Sequence, residues 1–360
     1  MSKQRASNMF SFLFILGLAL TTRAAYAWNI RNFTHLIVFG DSWSDAGRLH
    51  YFQSHNGSVP PVGWIDNGDT PAADGGRPWP SYVGQYTGAD VYNYAVAGAV
   101  CSNDLTPRIA QPVGKLFPDV AGYQVPAFLA DSQYTYSNGT MFMAAAPEST
   151  VYVIMIGGND VGADGYLTDS QTPGTTIADY IDCVFHQIDR LFQHGARNFV
   201  IHTLGAMYLT PQYAMPNEGG LKATQYWPDK YSNTTGISQR MLEQVALVNA
   251  VYKARLPLEV EFQRRYPGAQ FALVDLESLM IDIHKHPAGY LNGTSPYNVT
   301  GYTNHCSLSG TECVRYDNEN RDAFMWYDEL HPSEQTWRAY ARILVDIISG
   351  SSKWATYISA

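Results

Sequence analysis

The chain has 360 residues, of which 46% are hydrophobic and 15% charged, and its formal net charge is −9. This composition supports a large buried core and excludes a chain that is mainly disordered. The acidic balance argues against anionic partners, so neither nucleic acid nor a stable membrane association is expected.

The first residues have the features of a secretory signal peptide. Lys3 and Arg5 precede an apolar stretch of 12 residues, 9–20, which is too short to cross a bilayer comfortably. Small residues at 25 and 27 then provide a cleavage site, so we expect residues 1–27 to be removed and the protein to be extracellular. The loss of three cations changes the formal net charge to −12. An uncleaved anchor is the alternative.

Five short apolar runs follow and predict strands over residues 36–39, 91–94, 150–156, 199–203 and 271–276. Such runs are typical of strands that are covered on both faces, as in a parallel sheet with helices on each side. Helical spacing of apolar residues predicts helices over 177–194, within 238–264, and after Pro332. The alternation of strands and helices predicts an α/β sandwich with right-handed crossovers.

Long polar segments rich in Pro and Gly interrupt this pattern at residues 50–80, 102–124, 209–235 and 284–320. They are long for structureless loops, so we expect them to build the rim of a site. No linker or repeat divides the chain, and residues 28–360 are therefore expected to form a single domain.

Two further features fit secretion. Sequons for N-glycosylation occur at Asn32, Asn56, Asn138, Asn233, Asn292 and Asn298. The four cysteines lack paired C-x-x-C spacing, so disulfides are favoured over a zinc site in an oxidising compartment. Four cysteines allow three pairings, of which we prefer Cys101–Cys183 with Cys306–Cys313.

Residues that could carry chemistry follow the predicted strands. Ser42 follows the first strand, Gly98 the second and Asn159 the third, whereas Asp328 and His331 come just before the last helix. In open α/β sheets, ligands bind beyond the carboxyl ends of the strands, so these residues should converge at one edge.

This set matches the needs of ester hydrolysis. Ser42 would be the nucleophile, His331 its general base, and Asp328 the group that orients the imidazole. The oxyanion would need fixed donors, which we assign to the backbone N–H groups of Ser42 and Gly98 and to the side-chain NH₂ of Asn159.

These segments, in this order, resemble the GDSL, or SGNH, hydrolase superfamily. GDSWSDAG contains Ser42, GGND contains Asn159, and Asp328 and His331 form D-x-x-H. Trp43 stands where the family often has Leu. The chain looks most like the secreted fungal acetylesterases of carbohydrate esterase family sixteen.

The resemblance implies a flavodoxin-like three-layer α/β/α sandwich with a central parallel sheet, and an esterase without a metal or other cofactor. It also implies removal of acetyl groups from acylated small molecules or oligosaccharides, such as acetylated xylo-oligosaccharides, through an acyl-enzyme.

Other interpretations remain open at this point. Each motif residue has a structural alternative: Ser42 as a turn residue, Gly98 as a packing position, and the Asp328–His331 pair as a helix cap. The alternative functions are a lipase or phospholipase for longer acyl chains, and a catalytically silent sugar-binding protein with an aromatic rim. A monomer is expected. The sequence does not reveal the acyl length, the sugar or the hydroxyl that is deacylated.

Overall fold

A computed structural model of the chain describes residues 28, 30, 32–66, 68, 71–316 and 318–359. The predicted signal peptide, residues 1–27, lies outside the described residues. None of the helices in the described part of the chain combines the length and apolar character that a bilayer span requires.

A six-stranded sheet forms the centre of the fold. Its strands are β1 (His35–Gly40), β2 (Asp90–Asn93), β5 (Thr150–Met155), β6 (Asn198–His202), β7 (Gln270–Val274) and β12 (Ala355–Ser359). The order across the sheet is β12-β7-β6-β5-β1-β2, and every neighbouring pair is parallel except β12 with β7. The chain therefore contains the predicted sheet, with one antiparallel strand at its edge.

Seven α-helices are present among the described residues: α1 (Arg48–Ser54), α2 (Trp79–Thr87), α3 (Val125–Asp131), α4 (Ile177–Gln193), α5 (Thr234–Pro257), α6 (Leu276–Lys285) and α7 (Glu334–Ile348). Every residue of β5 and β6 is buried, which requires cover on both faces of the sheet. Helix α2 packs against α7, whereas α4 packs against both α3 and α5. The α/β sandwich expected from the sequence is confirmed.

The remaining strands are short and lie outside the central sheet. They are β3 (Ile109–Ala110), β4 (Lys115–Leu116), β8 (Asn298–Tyr302), β9 (Asn304–Cys306), β10 (Cys313–Arg315) and β11 (Phe324–Trp326), and they pair as β3–β4, β8–β11 and β9–β10. All but β11 belong to segments that the sequence analysis treated as insertions.

The element bounds differ from the predicted ones at identifiable residues. The fifth predicted strand ends at Val274 because the Asp275 side chain accepts a hydrogen bond from the Ser278 N–H at 3.2 Å and starts α6. Helix α5 starts four residues earlier than predicted, where Asn233 caps it by accepting a hydrogen bond from the Gly236 N–H.

Two disulfides are present, and they are the preferred pairings. Cys101–Cys183 joins the segment after β2 to α4, and Cys306–Cys313 links β9 to β10. The first bridge closes a separation of 82 residues and the second a separation of 7.

Candidate active site

Ser42 lies at the tip of β1, where the end of the strand is held on both sides. The Gln124 side chain bonds both backbone groups of Gly40, the N–H at 2.9 Å and the carbonyl at 2.8 Å. A Cβ on Gly40 would lie 2.4 Å from the Met155 carbonyl oxygen, so β1 and β5 approach too closely here for a side chain. The chain then turns, and Ser42 is left partly exposed.

A hydrogen-bonded path runs from this serine to a buried carboxylate. His331 Nε2 lies 2.9 Å from Ser42 Oγ. On the other side of the ring, His331 Nδ1 lies 2.9 Å from each oxygen of Asp328. The structure thus brings together the three side chains that the sequence analysis assigned to catalysis, although they come from opposite ends of the chain.

The positions of Asp328 and His331 are fixed by the turn before α7. Asp328 Oδ1 accepts hydrogen bonds from the backbone N–H groups of Leu330 at 2.9 Å and His331 at 2.8 Å. The Tyr327 N–H donates to the His331 carbonyl at 2.8 Å, and the Ser333 side chain caps α7. The carboxylate therefore holds both the imidazole and the backbone that carries it.

The electrostatics favour an imidazolium. Burial of the His331 ring alone would lower its pKa, but the charge and hydrogen bond of Asp328 outweigh this, so the pKa is raised above 6.5. The charges of Asp41 and Asp74 act in the same direction. Burial raises the pKa of Asp41 to about 6 and that of Asp74 to about 7.

The predicted oxyanion donors lie in three segments, which follow β1, β2 and β5. Asn159 donates from Nδ2 to the Ala99 carbonyl at 2.8 Å, which leaves its second amide hydrogen free of that bond. Gly98 has φ +84°, a conformation that favours glycine, and a Cβ there would lie 2.5 Å from the Phe117 ring. Ser42 and Asn159 line the same cleft, and Gly98 directly precedes the residue that Asn159 binds.

Two neighbouring aspartates connect these loops. Asp45 accepts hydrogen bonds from the N–H groups of Gly47, Arg48, Leu49 and Ala97, which joins the Ser42 turn to the Gly98 loop. Asp160 accepts from the Cys101 N–H and the Thr106 hydroxyl, both at 3.1 Å from Oδ1. Burial raises the pKa of Asp160 to about 7. Both carboxylates therefore hold backbone groups of the loops around the candidate site.

The cleft beside Ser42 is small and mostly apolar. Its volume is about 30 Å³. Apolar side chains form most of its wall: Trp43, Met155, Ile156, Leu204, Met207 and Leu276. Among the described residues, no group of three or more His, Cys, Asp or Glu side chains is arranged to hold a metal ion.

One side chain that contacts the Asp328–His331 pair could not be predicted from the sequence. Tyr226 donates its hydroxyl to Asp328 Oδ2 at 2.7 Å. It belongs to the polar segment 209–235, and no motif distinguishes it from the other 24 tyrosines. Only the tertiary contact reveals it.

The chain is similar to known proteins over most of its length. A model of the family described as GDSL-like Lipase/Acylhydrolase matches residues 36–344. An acetylesterase from Hypocrea jecorina is 38% identical over 327 residues, covering 91% of this chain and 92% of the relative. An acetylesterase from Thermothelomyces thermophilus is 23% identical over 94% of this chain and 96% of its own. A GDSL esterase/lipase from Arabidopsis thaliana is 22% identical over 92% of this chain and 91% of its own.

Proposed function

We propose that this chain is a secreted serine esterase for acetylated carbohydrates. It belongs to the GDSL-like lipase/acylhydrolase family and is a carboxylic ester hydrolase. The proposed substrates are acetylated xylo-oligosaccharides of plant walls. The observation that carries the proposal is the continuous path Ser42–His331–Asp328, with contacts of 2.9 Å at each step. The acetylesterase from Hypocrea jecorina, which aligns along nine-tenths of both chains, supports acetyl as the acyl group.

In the proposed acylation step, His331 Nε2 takes the proton of the Ser42 hydroxyl while Oγ attacks the ester carbonyl carbon. The carbonyl oxygen becomes an oxyanion, which the Ser42 N–H, the Gly98 N–H and the Asn159 amide stabilise. One such donor typically lowers the barrier by about 2.7–4 kcal/mol. The intermediate then collapses, the imidazolium gives its proton to the sugar oxygen, and the sugar alcohol leaves.

Deacylation repeats these steps with water. His331 takes a proton from a water molecule, whose oxygen attacks the acyl carbon of the ester on Ser42. The second tetrahedral intermediate releases the carboxylic acid, which then loses its proton to solvent, and Ser42 recovers its proton from the imidazolium. Asp328 stays ionised in both halves and stabilises each imidazolium as it forms.

The cleft supports a short acyl group. The space beside Ser42 that a water-sized sphere can reach is about 30 Å³, which suits a small group such as acetyl. The apolar wall suits a methyl group.

An aromatic group next to the Asp328 turn supports a sugar as the alcohol. The Tyr302 and His305 rings stack with centroids 4.1 Å apart, and Tyr316 meets His305 edge-on at 4.8 Å. Tyr316 is 56% exposed. The group is attached to the turn because the Thr303 N–H donates to the Tyr327 carbonyl at 3.0 Å. Exposed aromatic faces are common at ligand sites.

Secretion is supported by the two disulfides and by the surface location of the sequons. Five of the six acceptor asparagines are exposed, and Asn298 is partly buried with its side chain bound to the Gly301 N–H at 2.6 Å. We therefore expect Asn298 to be the least readily glycosylated of the six.

The test compares p-nitrophenyl acetate, butyrate and octanoate, followed by acetylated xylo-oligosaccharides, for the wild type and Ser42→Ala. We expect acetate to be preferred, acetate to be released from the oligosaccharides, and Ser42→Ala to be inactive. Ser170→Ala, an exposed serine far along the chain, is the matched control and should keep full activity. Preference for octanoate would favour a lipase, whereas sugar binding without turnover of any ester would favour a silent binding protein.

A further inference from the structure

The segment 209–235 places a phenol on the carboxylate that orients the proposed general base. Tyr226 Oη donates to Asp328 Oδ2 at 2.7 Å, and the Tyr226 ring meets the His331 ring edge-on, with centroids 5.2 Å apart and planes at 79°. We infer that Tyr226 is a positioning residue, which fixes the rotation of the Asp328 carboxylate and limits the basicity of His331. This inference rests on the proposed function, because it assigns a role to Tyr226 in the same reaction.

Tyr226 lies in a tight turn that faces the Asp328 segment. Thr224 and Trp227 close this turn through two backbone hydrogen bonds of 3.2 and 3.1 Å. The two residues between them reach two consecutive carboxylates: Gln225 Nε2 donates to Glu329 at 3.0 Å, and Tyr226 donates to Asp328. We call residues 224–227 the clamp turn.

The clamp turn is anchored to the body of the protein from behind. The Thr224 hydroxyl donates to the Gln212 side chain at 2.7 Å, and the Gln212 N–H donates to the Glu329 carbonyl at 2.7 Å. Lys230, which is only 8% exposed, donates its ammonium to the Gln212 and Leu221 carbonyls at 2.5 and 2.6 Å. Several independent contacts therefore fix the position of the clamp turn relative to the Asp328 segment.

The two oxygens of Asp328 are held differently. Oδ1 accepts two backbone N–H groups besides the ring, from Leu330 and His331. Oδ2 has Tyr226 as its partner besides the ring. Asp328 is 1% exposed, so its oxygens depend mainly on protein donors for their hydrogen bonds. Loss of the hydroxyl would thus leave Oδ2 with the His331 ring as its remaining partner, so the carboxylate is less firmly oriented while the two backbone N–H groups on Oδ1 keep it beside the ring.

The Tyr226 hydroxyl also affects the negative charge of the Asp328 carboxylate. Burial, followed by the negative charge of Asp328, raises the pKa of Tyr226 well above 10, so the phenol stays a donor at any working pH. Its hydrogen bond disperses the charge of Oδ2, and its loss concentrates that charge next to the imidazolium, which becomes more stable. The other charged groups that act on His331 are Asp41, Asp74 and Glu329, and they are unchanged by this loss.

The experiment compares Tyr226→Phe with the wild type on p-nitrophenyl acetate across pH. Phenylalanine keeps the ring contact and removes only the O–H. We expect kcat to fall about tenfold, the size expected for one hydrogen bond to a charged group, with KM within about twofold. The acid limb of kcat/KM should move to higher pH. Tyr231→Phe, on the same segment and 58% exposed, is the matched control and should change neither quantity.

A spectroscopic measurement gives an independent readout. The proton on His331 Nδ1 faces Asp328, and its NMR signal should titrate with a higher midpoint in Tyr226→Phe than in the wild type. A variant with the wild-type kcat, acid limb and midpoint would overturn the inference. The Ser42→Ala variant distinguishes failure of this inference from failure of the proposed function. If Ser42→Ala is active, the proposed function is overturned as well. If Ser42→Ala is inactive and Tyr226→Phe behaves as the wild type, only the role of Tyr226 is overturned.

Discussion

Replacement of Asp328 by Asn is the change whose effect follows most directly from the geometry. The Oδ1 position faces the backbone N–H groups of Leu330 and His331, so the amide oxygen of the introduced asparagine must occupy it. The amide NH₂ then takes the Oδ2 position, 2.9 Å from His331 Nδ1. Because an NH₂ can only donate, an Nδ1 that accepts from it carries no proton, and the ring proton is then on Nε2. In that tautomer Nε2 cannot take the proton of Ser42, whereas the alternative, in which Nδ1 donates to the amide oxygen 2.9 Å away, lacks the carboxylate charge.

The size of the effect has two sources. Two unit charges about 4 Å apart attract by roughly 4 kcal/mol at an effective dielectric constant of about 20. Loss of the Asp328 charge alone should therefore lower the rate about 10³-fold. The unfavourable tautomer adds a further factor. We therefore expect kcat to fall about 10⁴-fold, the size known for this substitution in serine triads generally. KM should change little, because the substrate does not need to touch Asp328.

The assay is the steady-state hydrolysis of p-nitrophenyl acetate by Asp328→Asn, with thermal unfolding to verify the fold. Asp229→Asn, an exposed aspartate on the segment that carries Tyr226, is the control and should behave as the wild type. A folded Asp328→Asn variant with kcat within about tenfold of the wild type would refute the reasoning, since it would mean that His331 works without a charged partner on Nδ1.

Two further predictions concern pH and stability. The raised pKa of His331 keeps the imidazole protonated to a higher pH than in a free histidine. The value of kcat/KM should therefore decline on the acid side with a midpoint above pH 6.5. A midpoint below 6.5 in a pH profile would contradict this. Removal of the Cys101–Cys183 bridge should lower the free energy of unfolding by about 4.5 kcal/mol, and removal of Cys306–Cys313 by about 2.5 kcal/mol, because the longer loop gains more entropy when it opens. Denaturant unfolding of the two double-serine variants measures both values, and an equal loss from each would contradict the loop argument.

The central sheet was readable from the sequence because its strands are apolar on both faces. Strands such as Thr150–Met155 appear as unbroken hydrophobic runs, which a parallel sheet between two helical layers requires. Strand Ala355–Ser359 escaped detection because it lies at the edge, where only Ile358 is buried. Helix Trp79–Thr87 escaped because Pro80 looks like a loop residue, although proline is tolerated in the first turn of a helix.

The candidate site was readable where its residues belong to short motifs at strand ends. Ser42, Asn159 and His331 could be assigned in this way, since the topology of a parallel sheet brings such ends to one edge. Gln124 and Tyr226 could not, because each acts only through a contact with a residue more than 80 positions away. A hydrogen bond over that distance leaves no trace in local composition or periodicity.

The parts of the site therefore come from two sources with different physical roles. The strand ends supply Ser42 and Asn159, whose positions depend on the packing of the sheet itself. The insertions supply groups that act from outside, such as Tyr226 on Asp328 and Asp74 on the charge of His331. Changes at the strand ends should lower stability and activity together, whereas changes in the insertions should alter kcat and the pH profile of a protein that remains folded. This separation is what makes the Tyr226 variant informative about the chemistry rather than about folding.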